Sequence, residues 1–388
     1  MLLVSILFWI SVFIVFYTYF GYAILVAIFN KISPYKFSVK DTEITDWPAV
    51  TLVVALFNEE DYVDEKVKNT FELDYPEEKL QILFITDGST DSTPQRIQKY
   101  PRIKLMHKDE RQGKTMAINR AMTEVTTPFV VFCDANTYLN SAAIKKIVAH
   151  YNDPKTAAVA GEKKIADAAD AAGAGEGIYW KYESTLKKLD ARFYSIVGAA
   201  GELFSMRTAL YTPIEKSVIL DDFAVSMRLC LRGYRVAYEP GAYAVETASM
   251  NIKEEQKRKI RNCAGGIQAV MLLPKAWNIF KYGRLSFLYI SHRAFRWMAA
   301  PWLLPIIFIL NIILVASHSG LIYTLFLIAQ IIFYFAALAG WIMARMNLKI
   351  KAFYVPYYFT FMNGSMYLGL LRILRSEQSG IWEKAIRK

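Results

Sequence analysis

The segment Val50–Leu56 (VTLVVAL) decides the class of fold that we expect for this chain. It is a nearly continuous run of apolar, mostly β-branched residues, which is typical of a parallel strand buried on both faces. Three further strands are predicted at Gln81–Thr86 (QILFIT), Ile103–Met106 and Phe129–Cys133 (FVVFC), with helical stretches between them. Because strands and helices alternate, we expect an α/β domain with a mostly parallel, doubly wound sheet.

Polar residues follow directly after three of these predicted strands. The segments are Leu56–Glu59, Asp87–Ser92 and Asp134–Asn136. Ligands of doubly wound sheets bind beyond the carboxyl ends of the strands, where these segments should meet. The three segments are therefore the first candidates for a binding site.

Two of these segments carry a carboxylate with a specific use. Asp87 opens DGSTDST, where it can accept hydrogen bonds from a nucleobase or ribose, although an ordinary turn is the alternative. Asp134 and Asn136 are separated by one residue and can offer oxygen ligands to a hard divalent cation that also binds phosphate. A capped turn is the alternative for that pair.

Two charged stretches further along the chain open predicted helices. Asp221 and Asp222 precede an amphipathic stretch, where they either interact with the helix dipole or supply a general base for an acceptor hydroxyl. Gln256–Arg261 (QKRKIR) begins a basic amphipathic helix, which suits a membrane surface and can also neutralise a leaving diphosphate. Both interpretations of the second stretch can hold together.

Several other features indicate little specific chemistry. Gly113-Lys114-Thr115 resembles the end of a P-loop, but position 108 is lysine where that motif requires glycine. The three cysteines and four histidines show no spacing typical of a zinc site. The small-residue run Ala166–Gly177 predicts a surface loop or, alternatively, a mobile flap beside the ligand.

Six motifs in register resemble the inverting family of membrane glycosyltransferases that includes cellulose, chitin, hyaluronan and poly-N-acetylglucosamine synthases. They are VVALFNEE (53–60), DGSTDST (87–93), RQGKTMAINRAM (111–122), DAN (134–136), GAAGELFSMRTAL (198–210) and LDDFAVSMRLCLRGYRVAY (220–238). The resemblance implies a GT-A fold and a UDP-sugar donor. It also implies Mg²⁺ or Mn²⁺ as cofactor and a single displacement at the anomeric carbon with inversion.

The resemblance also implies a role for each matching residue. Asp222 matches the general base, with Asp221 beside it, and the nucleotide site comprises Leu56, Asn58, Glu59, Asp87, Lys114 and Asp134. Asp134 and Asn136 would bind the metal, Gly198, Gly201 and Glu202 the acceptor, and Gln256, Arg258 and Arg261 the diphosphate.

The chain departs from the family pattern at three places. Asn136 replaces the second aspartate of the metal motif, which removes one negative charge from that site. Leu220-Asp221 stands where the family has Thr-Glu. Lys259 and Ile260 replace the Arg-Trp pair that marks processive synthases, and isoleucine cannot stack on an acceptor sugar as tryptophan does. The resemblance therefore does not extend to processive polymerisation.

Long apolar stretches at both ends predict membrane spans. Met1–Asn30, Trp297–Ala344 and Ala352–Leu371 contain no Asp, Glu, Lys or Arg, and a span needs about 20 apolar residues. The first is too long, and lacks the basic start, for a signal peptide. The second predicts a two-span hairpin broken at Ser317–Gly320, and the third is either another span or a re-entrant segment.

The predicted organisation has four parts. They are a transmembrane helix at 1–30, a GT-A domain at 48–255, amphipathic interface helices at 256–292 and a transmembrane region at 293–375. Lys31, Lys36 and Lys40 follow the first span, so the positive-inside rule predicts a multi-pass protein of the cell membrane with a cytoplasmic catalytic domain. The basic residues of the tail, such as Arg372, also favour the cytoplasm, which conflicts with a third crossing.

The net charge of +11 indicates which partners to expect. The basic residues concentrate beside the apolar stretches, which favours anionic lipids and a diphosphate donor over nucleic acid. We expect an inverting transfer of sugar to a polysaccharide or polyprenyl-linked acceptor, with export or accessory subunits as further partners. The alternative is a non-catalytic scaffold or export subunit of a synthase complex.

Overall fold

The computed structural model describes residues 1–36, 46–166, 171–199, 201–246, 252–346, 348 and 350–375. The chain divides into two compact units. The helical unit comprises Met1–Ile32, Ala168–Tyr179 and Ser249–Glu377. The sheet unit comprises Ser33–Asp167, Trp180–Ala248 and Gln378–Lys388.

The helical unit begins with one continuous apolar helical segment of 31 residues, Leu2–Ile32. It consists of α1 (Leu2–Phe16), a π-helical turn (Tyr17–Gly21) and α2 (Tyr22–Ile32). Its length and hydropathy allow it to cross a membrane, as the charge-free sequence predicts.

The sheet unit contains one eight-stranded sheet among its described residues, in the order β3-β2-β1-β4-β7-β6-β8-β5. The strands are β1 (Val50–Leu56), β2 (Leu80–Asp87), β3 (Lys104–Lys108), β4 (Phe129–Asp134), β5 (Thr137–Leu139), β6 (Thr156–Ile165), β7 (Leu203–Arg207) and β8 (Arg235–Glu246). Strands β3, β2, β1 and β4 are parallel, whereas β7 runs antiparallel to both β4 and β6. The predicted α/β fold is confirmed, with a sheet that is parallel in one half and mixed in the other.

Helices alternate with the strands, as the sequence pattern predicts for the parallel half of the sheet. They are α3 (Val63–Phe71), α4 (Thr93–Ile97), α5 (Lys114–Met122), α6 (Ala143–Ala149), α7 (Ala171–Phe193) and α8 (Asp221–Leu231). The loop predicted over Ala166–Gly177 is wrong from Ala171 onward, because α7 begins there; residues 167–170 lie outside the described part. Alanine has the strongest helix propensity, and this run is rich in it.

The carboxy-terminal part of the helical unit is almost entirely helical where it is described. It contains α9 (Ile252–Leu272), a 3₁₀ turn (Pro274–Trp277), α10 (Ile279–Tyr282), α11 (Arg284–Leu288), a π-helical turn (Tyr289–Ala294), α12 (Phe295–Met298), α13 (Ala300–Ala316), α14 (Leu321–Arg345) and α15 (Lys351–Leu374). Helix α14 is long and apolar enough to span a membrane. Arg284–Met298 and Ala300–Ala316 form a helix pair bent by 56°, which is a third candidate if the two count as one span.

The core of the sheet unit explains why its first strand is apolar throughout. Every residue of β1 except Ala55 is buried, because helices cover both faces of this part of the sheet. Strands β1 and β4 pair so that Ala55 lies opposite Asp134, and β1 pairs with β2 so that Leu56 lies opposite Thr86. This register brings the carboxyl ends of the three strands to one edge of the sheet.

Candidate functional site

The segment after β1 is tied to the segment after β2 by hydrogen bonds. Asn58 has a positive φ of 52°, and its Oδ1 accepts a hydrogen bond of 2.8 Å from the backbone of Thr90. The backbone N–H of Glu59 donates to Thr93 Oγ1 over 2.9 Å. The side chain of Leu56 is buried in the core. These contacts hold two of the three predicted segments together at the sheet edge.

Asp87 organises the start of α5. Its carboxylate is buried, and Oδ2 accepts hydrogen bonds from the backbone N–H groups of Gln112 (2.8 Å) and Gly113 (2.6 Å). Arg120 approaches Oδ1 at 3.4 Å. Because Gly113 immediately precedes the helix, Asp87 fixes the position from which the Lys114 side chain extends.

Lys114 lies among three carboxylates. Its ammonium forms an ion pair with Asp134 Oδ1, and both side chains are mostly buried. Burial acts to lower the pKa of Lys114, but the negative charges of Asp134, Asp221 and Asp222 outweigh it and raise the pKa above its ordinary value. Lys114 is therefore a permanent cation at the carboxyl edge of the sheet.

Asp222 lies at the start of α8 and has an unusual acidity. Burial and the neighbouring charge of Asp221 raise its pKa to about 7, against the effects of the Phe223 backbone N–H and the Lys114 charge. The Phe223 N–H donates to Asp222 Oδ1 over 2.7 Å, and a carboxylate in the first turn of a helix is also favoured by the helix dipole. A carboxyl group with a pKa near neutrality can accept a proton efficiently from a substrate hydroxyl.

The glycine before Glu202 leaves room beside this carboxyl group. A Cβ at Gly201 would lie 3.3 Å from Asp222 Oδ2 and 3.6 Å from Lys114 Nζ. Gly198 has a positive φ of 85° and packs against the ring of Phe223, where a Cβ would overlap at 2.1 Å. The segment predicted to bind the acceptor therefore lies against the proposed base.

Comparison with known proteins identifies the domain that carries this site. The sequence model of Glycosyl transferase family 2 matches residues 51–212. These residues form a family 2 glycosyltransferase domain. The resemblance to this family is confirmed: the matched range includes the first five of the six motifs whole, and the sixth, at 220–238, follows just beyond it.

Curated relatives cover this domain and part of its surroundings. The poly-β-1,6-N-acetyl-D-glucosamine synthase of Staphylococcus aureus strain MSSA476 is 27% identical over 246 residues, which are 60% of this chain and 58% of the relative. The synthase of the same name from Staphylococcus epidermidis is 27% identical over 300 residues, 74% of this chain and 70% of that protein. The match thus spans less than two thirds of the S. aureus synthase.

A solved structure shares the fold of nearly the whole chain. It is a mannosyltransferase from Pyrobaculum calidifontis in complex with GDP-Man and Mn²⁺, with a TM-score of 0.71 and 21% sequence identity. The likeness covers 96% of this chain and 100% of that one. At this identity the comparison establishes the fold, and the family 2 domain accordingly has the GT-A architecture that the motifs imply.

The donor atoms of the family 2 domain fit a hard divalent cation. Asp134 ends β4 and Asn136 lies in the turn that follows, and Mg²⁺ commonly binds through one or two carboxylate or amide oxygens plus phosphates and water. The described residues contain no group of three His, Cys, Asp or Glu side chains arranged to hold a metal. A cation at Asp134 would therefore take its other ligands from a bound diphosphate and from water.

The residues predicted to contact the diphosphate lie on α9, in the helical unit. Arg258 donates to Glu255 Oε2 through two nitrogen atoms, at 2.7 and 3.2 Å; Glu255 is buried and Arg258 mostly so. Lys259 lies 4.2 Å from the ring centre of Tyr179. Gln256 and Arg261 are half-buried. The contact of Gln256, Arg258 and Arg261 with a diphosphate stays a prediction.

Two charged residues next to the predicted acceptor segment, Lys163 and Glu246, were not predicted from the sequence. Lys163 on β6 forms ion pairs with Glu202 and with Glu246 on β8, and its side chain is fully buried. No motif marks Lys163 or Glu246. The detectable signal is a lysine that follows the apolar run of β6, which is unusual for a buried strand.

Proposed function

We propose that this chain is an inverting glycosyltransferase that moves a sugar from a UDP-sugar to a growing polysaccharide or a polyprenyl-linked acceptor. The observation that supports it most directly is Asp222, a carboxyl group with a pKa of about 7 beside the Lys114–Asp134 pair. Near neutral pH about half of such groups are ionised, so the group can both accept and release a proton during turnover.

Asp222 is the general base in this proposal. Its carboxylate accepts the proton of the acceptor hydroxyl while that oxygen forms a bond to the anomeric carbon of the donor. The bond from that carbon to the diphosphate breaks on the opposite face, so the configuration inverts. Gly201 and Glu202 border the space in which the acceptor hydroxyl would lie.

The donor site of the proposal lies at the carboxyl edge of the parallel strands. Asp87 and Asn58 line the nucleotide end, and Lys114 supplies a positive charge for the diphosphate. The relatives named as N-acetylglucosamine polymer synthases favour UDP-N-acetylglucosamine as the first donor to test. The mannosyltransferase that shares the fold is in complex with GDP-Man, so GDP-mannose is the donor to compare it with.

The proposal includes a divalent cation, Mg²⁺ or Mn²⁺, held by Asp134 and Asn136. When bound, the cation supplies positive charge to the diphosphate that leaves. The substitution of Asn136 for a second aspartate leaves Asp134 as the main protein ligand. We infer that metal affinity depends strongly on the presence of the donor, because the donor completes the coordination.

The proposal places the reaction at the cytoplasmic face of the cell membrane. The basic residues after α2 and around the α13–α14 hairpin support that orientation through the positive-inside rule. A polymer product would also need an exit path, supplied by the helical unit or by accessory subunits. Ile260 stands where processive enzymes stack the acceptor on tryptophan, so we expect short additions rather than long polymers.

The test is nucleotide release by the purified full chain in lipid nanodiscs. UDP-N-acetylglucosamine, other UDP-sugars and GDP-mannose are compared with Mg²⁺, Mn²⁺ or a chelator, and product length is measured by mass spectrometry. We expect release with a UDP-sugar, dependence on the cation, and its loss in Asp222→Asn. Asp74→Asn is the matched control, since Asp74 is an exposed carboxylate paired with Lys145 outside the site.

Each outcome separates one part of the proposal from the rest. If GDP-mannose is the one donor that gives nucleotide release, the assignment of a UDP-sugar donor is overturned, whereas the assignment as a glycosyltransferase stands. Unchanged release in Asp222→Asn would overturn the assigned base. No release with any donor, with and without a lipid-linked acceptor, would favour the scaffold alternative.

A further inference from the structure

We propose that the Lys114 ammonium and the divalent cation occupy Asp134 in turn, so that Lys114 neutralises this site whenever the cation is away. The inference rests on the metal site of the proposed function and adds a role for a residue of this chain toward that metal. Lys114 is a positioning residue in this exchange, because it acts on the cation through Asp134.

The first observation is the contact itself. Lys114 donates to Asp134 Oδ1, the same carboxylate that the metal site requires, and the two side chains are only 14% and 15% exposed. Strand β4 fixes Asp134, and the hydrogen bonds from Gly113 to Asp87 fix the start of α5. The ion pair is therefore built into the fold rather than formed between mobile surface groups.

The second observation is the imbalance of charge around the ammonium. The carboxylates of Asp134, Asp221 and Asp222 all act on Lys114. Like charges at contact distance repel strongly where water is largely excluded. A divalent cation on Asp134 therefore requires the ammonium to leave that carboxylate.

The third observation is that a place exists to which the ammonium can move. Asp222 Oδ2 and Lys114 Nζ both lie within 4 Å of the point where a Cβ on Gly201 would be. Because residue 201 is glycine, this space beside Asp222 is not filled by a side chain of that residue. A rotation of the lysine side chain toward Asp221 and Asp222 keeps its charge compensated while Asp134 turns to the metal.

The exchange makes a specific prediction for Lys114→Gln. Without Mn²⁺ this variant has three carboxylates and no lysine among them, so it is less stable than the wild type. With Mn²⁺ the cation replaces the missing charge, and most of the difference in melting temperature disappears. The variant should also bind Mn²⁺ at least about fivefold more tightly than the wild type, because no ammonium has to be displaced.

The experiment uses the full chain in nanodiscs, without donor. Melting temperatures are measured by tryptophan fluorescence in a chelator and over a series of Mn²⁺ concentrations, and Mn²⁺ affinity is measured by electron paramagnetic resonance. Lys145→Gln is the matched control, since it removes a lysine from an ion pair with Asp74 away from the site. Its response to Mn²⁺ should equal that of the wild type.

The outcomes distinguish the exchange from the metal site on which it rests. Equal Mn²⁺ effects on the wild type and Lys114→Gln would overturn the exchange and keep the metal site. No Mn²⁺ effect on either protein would also overturn the exchange, which requires the cation to reach Asp134 without donor; the metal site itself is tested by the cation dependence of nucleotide release, where the donor is present. Structures of the wild type with and without Mn²⁺ cover the case in which the variant does not fold: Lys114 Nζ should lie beyond hydrogen-bond reach of Asp134 when Mn²⁺ is bound, and a retained contact would overturn the exchange.

Discussion

Lys163 Nζ lies 2.6 Å from Glu202 Oε1, and the lysine side chain is fully buried. The same ammonium contacts Glu246, whose carboxylate is also fully buried. Glu202 in turn contributes to the raised pKa of Asp222. A buried lysine on β6 thus holds in place a carboxylate that acts on the proposed base.

Replacing Lys163 with Met should lower the free energy of unfolding of the sheet unit by about 3–5 kcal/mol, because buried carboxylates lose their counter-charge. Denaturant unfolding followed by tryptophan fluorescence measures the loss. Lys145→Met is the control, since its pair with Asp74 is partly exposed to water, at 30% and 59% of the two side chains, and should contribute less than about 1 kcal/mol. Similar losses in both variants would show that the buried Lys163 pairs contribute no more to the free energy of unfolding than the partly exposed pair does.

Turnover should increase with pH through about 7, because Asp222 must be ionised to accept a proton and its pKa is raised to about 7. The charge of Asp221 is part of the cause, so Asp221→Asn should move this rise to lower pH. A pH–rate profile of kcat for both proteins measures the shift. If kcat of Asp221→Asn rises at the same pH as in the wild type, or at a higher pH, Asp222 is not the titrating group.

The ionisation of Asp222 should lower the stability of the protein as pH increases, whereas it increases turnover. The folded protein holds the Asp222 proton more tightly than the unfolded chain, so this group lowers stability as pH increases from about 4 to about 7. Asp222→Asn removes that contribution. The melting temperature of Asp222→Asn relative to that of the wild type should therefore increase as pH increases from about 4 to about 7. A difference in melting temperature that stays constant over this range would refute the prediction.

Gly198→Ala and Gly233→Ala should separate backbone strain from steric overlap. The two glycines have similar positive φ values, 85° and 88°, but only Gly198 has a neighbour, Phe223, within reach of a Cβ. We expect a loss of about 1–2 kcal/mol for Gly233→Ala from the backbone alone. Gly198→Ala should lose about 1–3 kcal/mol more, because Phe223 must move. Equal losses in denaturant unfolding would exclude the overlap.

Gly340→Ala should destabilise the helical unit, because a Cβ there would lie 2.2 Å from the backbone oxygen of Phe353, where α14 and α15 approach closely. The expected loss is about 1–3 kcal/mol. Gly364→Ala on α15 is the control, since a Cβ there meets nothing within 4 Å and alanine is the better helix former. Thermal unfolding in nanodiscs compares the two variants, and a greater loss in Gly364→Ala would be the contrary result.

The parallel half of the sheet could be predicted because the burial of each strand shows directly in its own residues. Strands buried on both faces must be apolar at every position, so β1, β2 and β4 stand out in the sequence as short apolar runs. The mixed half, β5 to β8, gives a weaker signal, because parts of β6 and β8 are only half-buried or exposed and carry charged residues such as Lys164. Helix α7 was missed for a different reason: its small residues have no apolar periodicity.

The sequence by itself determined which residues could do chemistry, since strand ends and motif order select Asp87, Asp134 and Asp222, and charge-free length selects the membrane helices. Only the tertiary structure decided how these residues act. The pairing of Lys114 with Asp134 and of Lys163 with Glu202 joins residues 20 and 39 positions apart. The raised pKa of Asp222 likewise depends on burial by separate segments of the chain. Desolvation and charge proximity are properties of packed neighbours, and no local pattern of residues records them.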